Sequence, residues 1–102
     1  MRNKSLFTDR TEYCFICNKP AHGVHHLLFG KDRQKADEDG VYFPICDECH
    51  IISKYRIHDN PTAEALSKML GETMWLLSQV ADEEQRDSLK IKFIQRYGRS
   101  YL

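Results

Sequence analysis

The sequence predicts a small α+β domain, and three observations lead there. Two Cys-x2-Cys pairs, Cys14/Cys17 and Cys46/Cys49, bracket two short apolar stretches, 21–29 and 41–45. After the second pair, apolar residues recur at helical rather than alternating spacing. With 102 residues the chain has room for one domain with a limited core, for which a staple would be a useful supplement.

Residues 1–12 are polar and read as a flexible arm, leaving 13–102 as a single domain. The first cysteine knuckle is 13–19, YCFICNK. The next segment, AHGVHHLLF at 21–29, is rich in apolar and β-branched residues and reads as a strand. GKDRQKADEDG, at 30–40, is polar and bounded by glycines, a loop or a short helix. VYFPI, at 41–45, is a second strand, and Pro44 belongs at its end or on an edge because it has no N–H for a ladder. The second knuckle, CDECH at 46–50, leads into IISKYRI, a short helix.

Asn60-Pro61 marks a helix start: a capping side chain, then a residue suited to the first turn. Leu66, Met69, Leu70, Leu77 and Val80 follow at helical spacing. Gly71 weakens that helix by roughly 1 kcal/mol relative to Ala. Trp75, Leu76 and Leu77 are adjacent, and either complete the core or face another subunit. A last helix spans 82–97, with Leu89, Phe93, Ile94 and Tyr97 on its apolar side and Gly98 as its C-terminal cap. The strands, being local, form a hairpin.

The 15 basic and 15 acidic residues cancel, so a nucleic-acid or membrane partner must be met by a local patch. No stretch approaches the ~18 apolar residues of a membrane span. The N-terminus has basic residues with no apolar run behind them, unlike a secretory signal. The expected compartment is the cytoplasm, where thiols stay reduced and paired cysteines are metal ligands rather than disulfides.

A two-residue gap lets both thiolates of a knuckle face one tetrahedral ion, so Cys14, Cys17, Cys46 and Cys49 are read as a structural zinc site. Zinc would pin the start of the first strand to the end of the second. Four thiolates leave no open position, so this ion is catalytically inert. The alternatives are independent pairs of reduced thiols, or a redox pair, for which the βαβ context is missing.

All five histidines, His22, His25, His26, His50 and His58, lie between the first knuckle and residue 58. The zinc clamp brings the strand of His25 and His26 close to the segment starting at His50, where imidazoles can converge on a second ion or act as a base. His22 reads as a surface residue. His50 could instead cap the zinc site, and His58 could be solvated.

CFIC, VHHLLFG, PICDECH and the terminal RYGRSYL resemble a small, phage-type member of the HNH nuclease superfamily. The resemblance implies a zinc-stabilised ββα-metal core with two additional C-terminal helices. It also implies a metal-dependent endonuclease that hydrolyses DNA phosphodiester bonds. His25 matches the first motif position, a ligand of a divalent metal. His26 matches the general base, and His50 the last ligand. The second ion would be magnesium, manganese, nickel or another zinc, in a bacterial host cell. Double-stranded DNA and other phage proteins are the implied partners. Two positions depart from the motif. Val41 stands where an asparagine is usual, with Asp39 nearby to orient His26. Lys54 stands where many relatives have a further ligand, and His58 replaces it if the chain turns back before Asn60. His25 and His26, adjacent in a strand, share a site only if the strand twists or ends there, which Gly23 and Gly30 allow.

Lys31, Arg33 and Lys35, with Lys54 and Arg56, flank this site as candidate nucleic-acid contacts. Lys90, Lys92, Arg96 and Arg99 read more simply as a solvated face. Two rival functions remain: a non-catalytic zinc module binding nucleic acid or protein, and an HNH domain that has kept its fold and lost turnover.

Overall fold

A computed structural model of the chain describes residues 2–52, 56–79 and 86–102. Strands β1 (Gly23–His26) and β2 (Tyr42–Ile45) pair antiparallel, Gly23 opposite Ile45 and His26 opposite Tyr42. Helix α1 (Arg33–Asp39) lies in the connection between them, and α2 (Pro61–Gln79) and α3 (Arg86–Tyr97) follow. The class is α+β, with the hairpin between the two cysteine knuckles.

β1 is shorter than the apolar run 21–29. After His26 the chain leaves the ladder so that Leu27 and Leu28 can enter the core, where both are buried. A 3-10 turn, Gly30–Asp32, then feeds α1. The polar segment 30–40 is thus helical. Ala36 is its buried residue, and Gly40 closes α1 at φ +77, a left-handed conformation that favours glycine. Pro44 lies inside β2, but its carbonyl accepts Phe15 N–H at 2.9 Å, on the side away from β1. The missing N–H is therefore on the free edge.

The second knuckle runs into a π-helical turn, Glu48–Ile52. Residues 53–55 lie outside the described residues. The chain then doubles back: Ile57 N–H donates to Cys49 O at 3.0 Å and His58 N–H to His50 O at 3.2 Å.

α2 starts where Asn60-Pro61 predicts, with Asn60 Oδ1 accepting Ala63 N–H at 3.2 Å. Its buried side is not the leucine repeat but Ser67, Gly71, Glu72 and Trp75. Leu66, Leu70 and Leu77 are 58%, 45% and 62% exposed. The reason is the closeness of the packing. A Cβ on Gly71 would lie 3.0 Å from Leu27 Cβ and 3.2 Å from Val41 Cγ1, so a leucine has no room at this point of the helix. Val80, the last residue of the repeat, lies outside the described residues.

α3 buries Leu89, Phe93 and Tyr97, while Ile94 stays 39% exposed. Residues 82–85, expected in this helix, lie outside the described residues. The Trp75 ring meets Phe93 edge-on at 5.4 Å between centroids, and Phe93 stacks on Tyr97 at 4.7 Å. Asp39 joins the three helices: its Oδ2 accepts Trp75 Nε1–H at 3.1 Å, Tyr97 O–H at 2.7 Å and Arg96 Nε–H at 2.5 Å. Burial and this carboxylate together push the Tyr97 phenol up.

Both chain ends are tied to this frame. Asn3 N–H donates to Asp37 O at 2.9 Å, Leu6 N–H to Gly40 O at 2.8 Å, and Tyr42 O–H to Asn3 O at 2.6 Å. Phe7 packs edge-on against Phe43. At the other end, buried Glu72 accepts Ser100 O–H at 2.7 Å and Tyr101 N–H at 2.5 Å. Among the described residues, no helix is long and apolar enough to cross a membrane.

Candidate functional site

The two knuckles bring Cys14, Cys17, Cys46 and Cys49 together, all four Sγ atoms within 4.8 Å of one another. The first knuckle is shaped by Asn18, at φ +66, and by Cys14 N–H donating to Lys19 O at 2.6 Å. Cys17 Sγ and Cys46 Sγ are 3.6 Å apart. That is too long for a disulfide, and close to the ~3.8 Å edge of a tetrahedron with metal–sulfur bonds of about 2.3 Å. The four cysteines are positioned to hold one metal ion.

The electrostatics of the cluster agree. Burial raises the Cys14 thiol, but backbone N–H donors from Cys17, Cys46 and Ile16 outweigh it and bring the thiol down to about 6. Burial and the neighbouring sulfurs push Cys49 up. Without a cation, one sulfur ionises at the expense of the next; a cation allows all four to be thiolates.

A second cluster joins His25 from β1, His50 from the π-helical turn, and His58 from the turn before α2. One ring nitrogen from each lies within 4.8 Å of the others. The ring centroids are 5.3 Å (His25–His50), 5.2 Å (His25–His58) and 4.6 Å (His50–His58) apart. His58 arrives because the chain doubles back after the π-helical turn.

His25 is fully buried. Its Nε2 lies 2.8 Å from Ser67 Oγ, and Ser67 donates its own proton to Leu27 O at 3.0 Å. Ser67 Oγ therefore accepts, Nε2 carries the proton, and Nδ1 keeps a lone pair. That Nδ1 is buried and has no hydrogen-bond partner. Burial, reinforced by His50, His58 and His26, pushes the ring down to about 3, so it is neutral at pH 7. An unpartnered buried lone pair beside two further imidazoles is a donor set that fits a divalent cation. His58 Nδ1 lies 3.3 Å from Glu64 Oε2, an outer contact that fixes its ring.

His26, next to His25 in β1, lines a pocket of about 310 Å³ with Val24, Phe29, Gly30, Arg33, His50 and His58, and His25 does not line it. Its Nε2 is 2.7 Å from Asp37 Oδ1. Asp39, expected from the sequence to orient His26, is engaged instead at the junction of the helices. Because 33–39 is helical, the carboxylate that faces His26 is Asp37. Arg2 Nε bonds the same Oδ1 at 2.8 Å. Burial raises the Asp37 carboxyl, yet Arg2 and His26 outweigh it and hold the group below its ordinary value. Burial lowers His26, and Asp37 partly offsets this. Val41, the residue at the motif's asparagine position, is fully buried in the core and takes no part.

The expected nucleic-acid contacts divide. Arg33 lines the pocket, and Lys31 precedes it in the 3-10 turn. Lys35 reaches the other way, donating from Nζ to Arg96 O at 2.7 Å. Arg56 is half-buried, and Lys54 lies outside the described residues. His22 is exposed and accepts Asp47 N–H at 3.3 Å. Three residues of the site carried no local sequence signal: Ser67, Glu64 and Asp37 follow from tertiary packing.

No family model, no curated protein and no solved structure matches the chain.

Proposed function

We propose that the chain is a metal-dependent endonuclease of the HNH type, hydrolysing DNA phosphodiester bonds, with a structural zinc in the four-cysteine site. The observation that supports this reading is the buried, unpartnered Nδ1 of His25 in the cluster with His50 and His58, with His26, bonded to Asp37, on the wall of the pocket that His50 and His58 also line.

The four cysteines suit zinc because four thiolates within this distance of one another would fill a tetrahedral shell. His25 Nδ1, His50 and His58 would hold the second ion, and three imidazoles favour a transition metal over magnesium. That ion, when bound, supplies positive charge to the phosphoryl oxygens and the departing 3′ oxygen. His26 is the general base. With its Nε2 proton held by Asp37, Nδ1 is the atom that takes a proton from water. Asp37 fixes the tautomer and stabilises the imidazolium as it forms, the role the resemblance gives to an asparagine. Arg33 meets the phosphate backbone at the pocket rim.

The test is supercoiled plasmid incubated with purified protein and magnesium, manganese or nickel, beside His26→Ala. Nicking by the parent that the variant lacks supports the enzyme. No nicking with any of these metals contradicts it and favours a non-catalytic zinc module. Equal nicking by both proteins removes His26 from its role.

A further inference from the structure

The C-terminal tail packs on Lys68 of α2, near the histidine pocket, and brings one further cation, Arg99, with it. Phe29, on the pocket wall, has its ring centroid 4.9 Å from that of His58. Lys68 Nζ sits 4.8 Å from the Phe29 centroid and 5.4 Å from that of Tyr101. Arg99 Cζ sits 4.8 Å from the Tyr101 centroid. His58, Phe29, Lys68, Tyr101 and Arg99 thus form one unbroken string leading outward from the pocket. Lys68 and Arg99 also line a shared surface depression of about 390 Å³ with Tyr101 and Glu64.

The charges on this face are sorted. Among the described residues, neither Lys68 nor Arg99 lies within ion-pair distance of a carboxylate. The acids nearby are committed or covered. Glu64 faces His58, and Glu72 holds the tail through Ser100 and Tyr101. Asp32 is buried, as is Glu72, and both act on the Tyr101 phenol through their charge. A chain of zero net charge therefore presents two unneutralised cations, with the Tyr101 ring between them, near its histidine pocket. Ammonium and guanidinium groups on aromatic faces keep their charge and are held in place. Buried Glu72 fixes the tail that carries two of the three side chains. Solvation alone does not call for such an arrangement.

We infer that Lys68, Tyr101 and Arg99 form a binding strip for the phosphodiester backbone of a nucleic-acid strand entering the histidine pocket. The identity of this ligand rests on the endonuclease reading; the strip itself rests on the string of contacts above. The two cations take consecutive phosphates, and the Tyr101 ring offers a face to the intervening sugar or base.

The test is the binding of fluorescein-labelled DNA, as duplex and as single strand, followed by anisotropy over a salt series without added divalent metal. The proteins are the parent, Lys68→Ala, Arg99→Ala, the double variant, and Lys19→Ala. The last removes an equal charge at the first knuckle, where Lys19 faces Glu48 at 3.8 Å. The expected result is a log Kd against log salt slope shallower by about 1 for each single strip variant and about 2 for the double. Affinity at low salt should fall at least about tenfold in the double variant, with Lys19→Ala close to the parent. The form of DNA more affected identifies the strand that uses the strip. Strip variants that match Lys19→Ala, or a parent that binds neither DNA, overturn the inference. Plasmid nicking with no strip effect sinks the strip alone, whereas a strip effect without nicking sinks the endonuclease reading alone.

Discussion

His25 and Ser67, 42 positions apart, meet at 2.8 Å, and the contact decides which nitrogen of the imidazole can bind a cation. Ser67 gives its own proton to Leu27 O, so it can only accept from Nε2–H, and Nδ1 is left with a lone pair inside the protein. Ser67→Ala removes this constraint while deleting little volume. Outer contacts of this kind are worth about 10- to 100-fold in metal affinity. Titration calorimetry with nickel should show a loss of that size at the second site, with the cysteine-bound ion retained. Unchanged affinity would mean that the ring is oriented by packing alone.

Asp37 stands to His26 as Ser67 does to His25, but toward the proposed base rather than the proposed ligand. Asp37→Ala should lower the cleavage rate by roughly tenfold to a hundredfold, less than the roughly 10²- to 10⁴-fold that a positioned base itself contributes. The second ion should bind as before. Asp37→Asn, whose amide oxygen still accepts from Nε2–H, should recover much of the rate. A loss equally large in both variants would show that the negative charge, not the hydrogen bond, is what matters.

The cysteine-bound ion is expected to be part of folding. A chelator strong enough to remove it, or Cys17→Ser, should abolish the cooperative thermal transition. His50→Ala should leave that transition in place and lower only the second-site affinity. A Cys17→Ser protein that still melts cooperatively near the parent temperature would assign the staple to the apolar core instead.

Gly71 sets two effects against each other. Alanine would improve the helix by about 1 kcal/mol. Its Cβ would stand 3.0 Å from Leu27 and 3.2 Å from Val41, both fully buried, so these neighbours must give way by a few tenths of an ångström. Overpacking costs about 1–3 kcal/mol, so Gly71→Ala should lose about 1 kcal/mol in urea denaturation, and Gly71→Leu considerably more. A stabilised Gly71→Ala would mean that the core gives way at little cost.

What the sequence made legible followed from local rules. Knuckle spacing, the hairpin and the Asn60-Pro61 helix start each depend on residues a few positions apart. The inward face of α2 did not. Its leucines advertise an apolar stripe, but Leu27, Leu28 and Val41 already fill the space beneath, so the small residues Ser67 and Gly71 face inward. Asp37 was missed in favour of Asp39 because 30–40 could be loop or helix, and only the helical register turns Asp37 toward β1. The polar composition of 1–12 gives no hint that Arg2 reaches Asp37, nor that of the C-terminal tail that Glu72 anchors it beside the pocket. Those contacts depend on tertiary placement, for which sequence spacing carries no signal.

The central claim is most directly tested by anomalous diffraction at the nickel edge from crystals of the zinc-loaded protein soaked in nickel. A nickel peak bonded to His25 Nδ1, His50 and His58, with zinc retained among the four cysteines, is the expected result. Nickel found only elsewhere, or no peak between these three rings at saturating metal, would contradict the account.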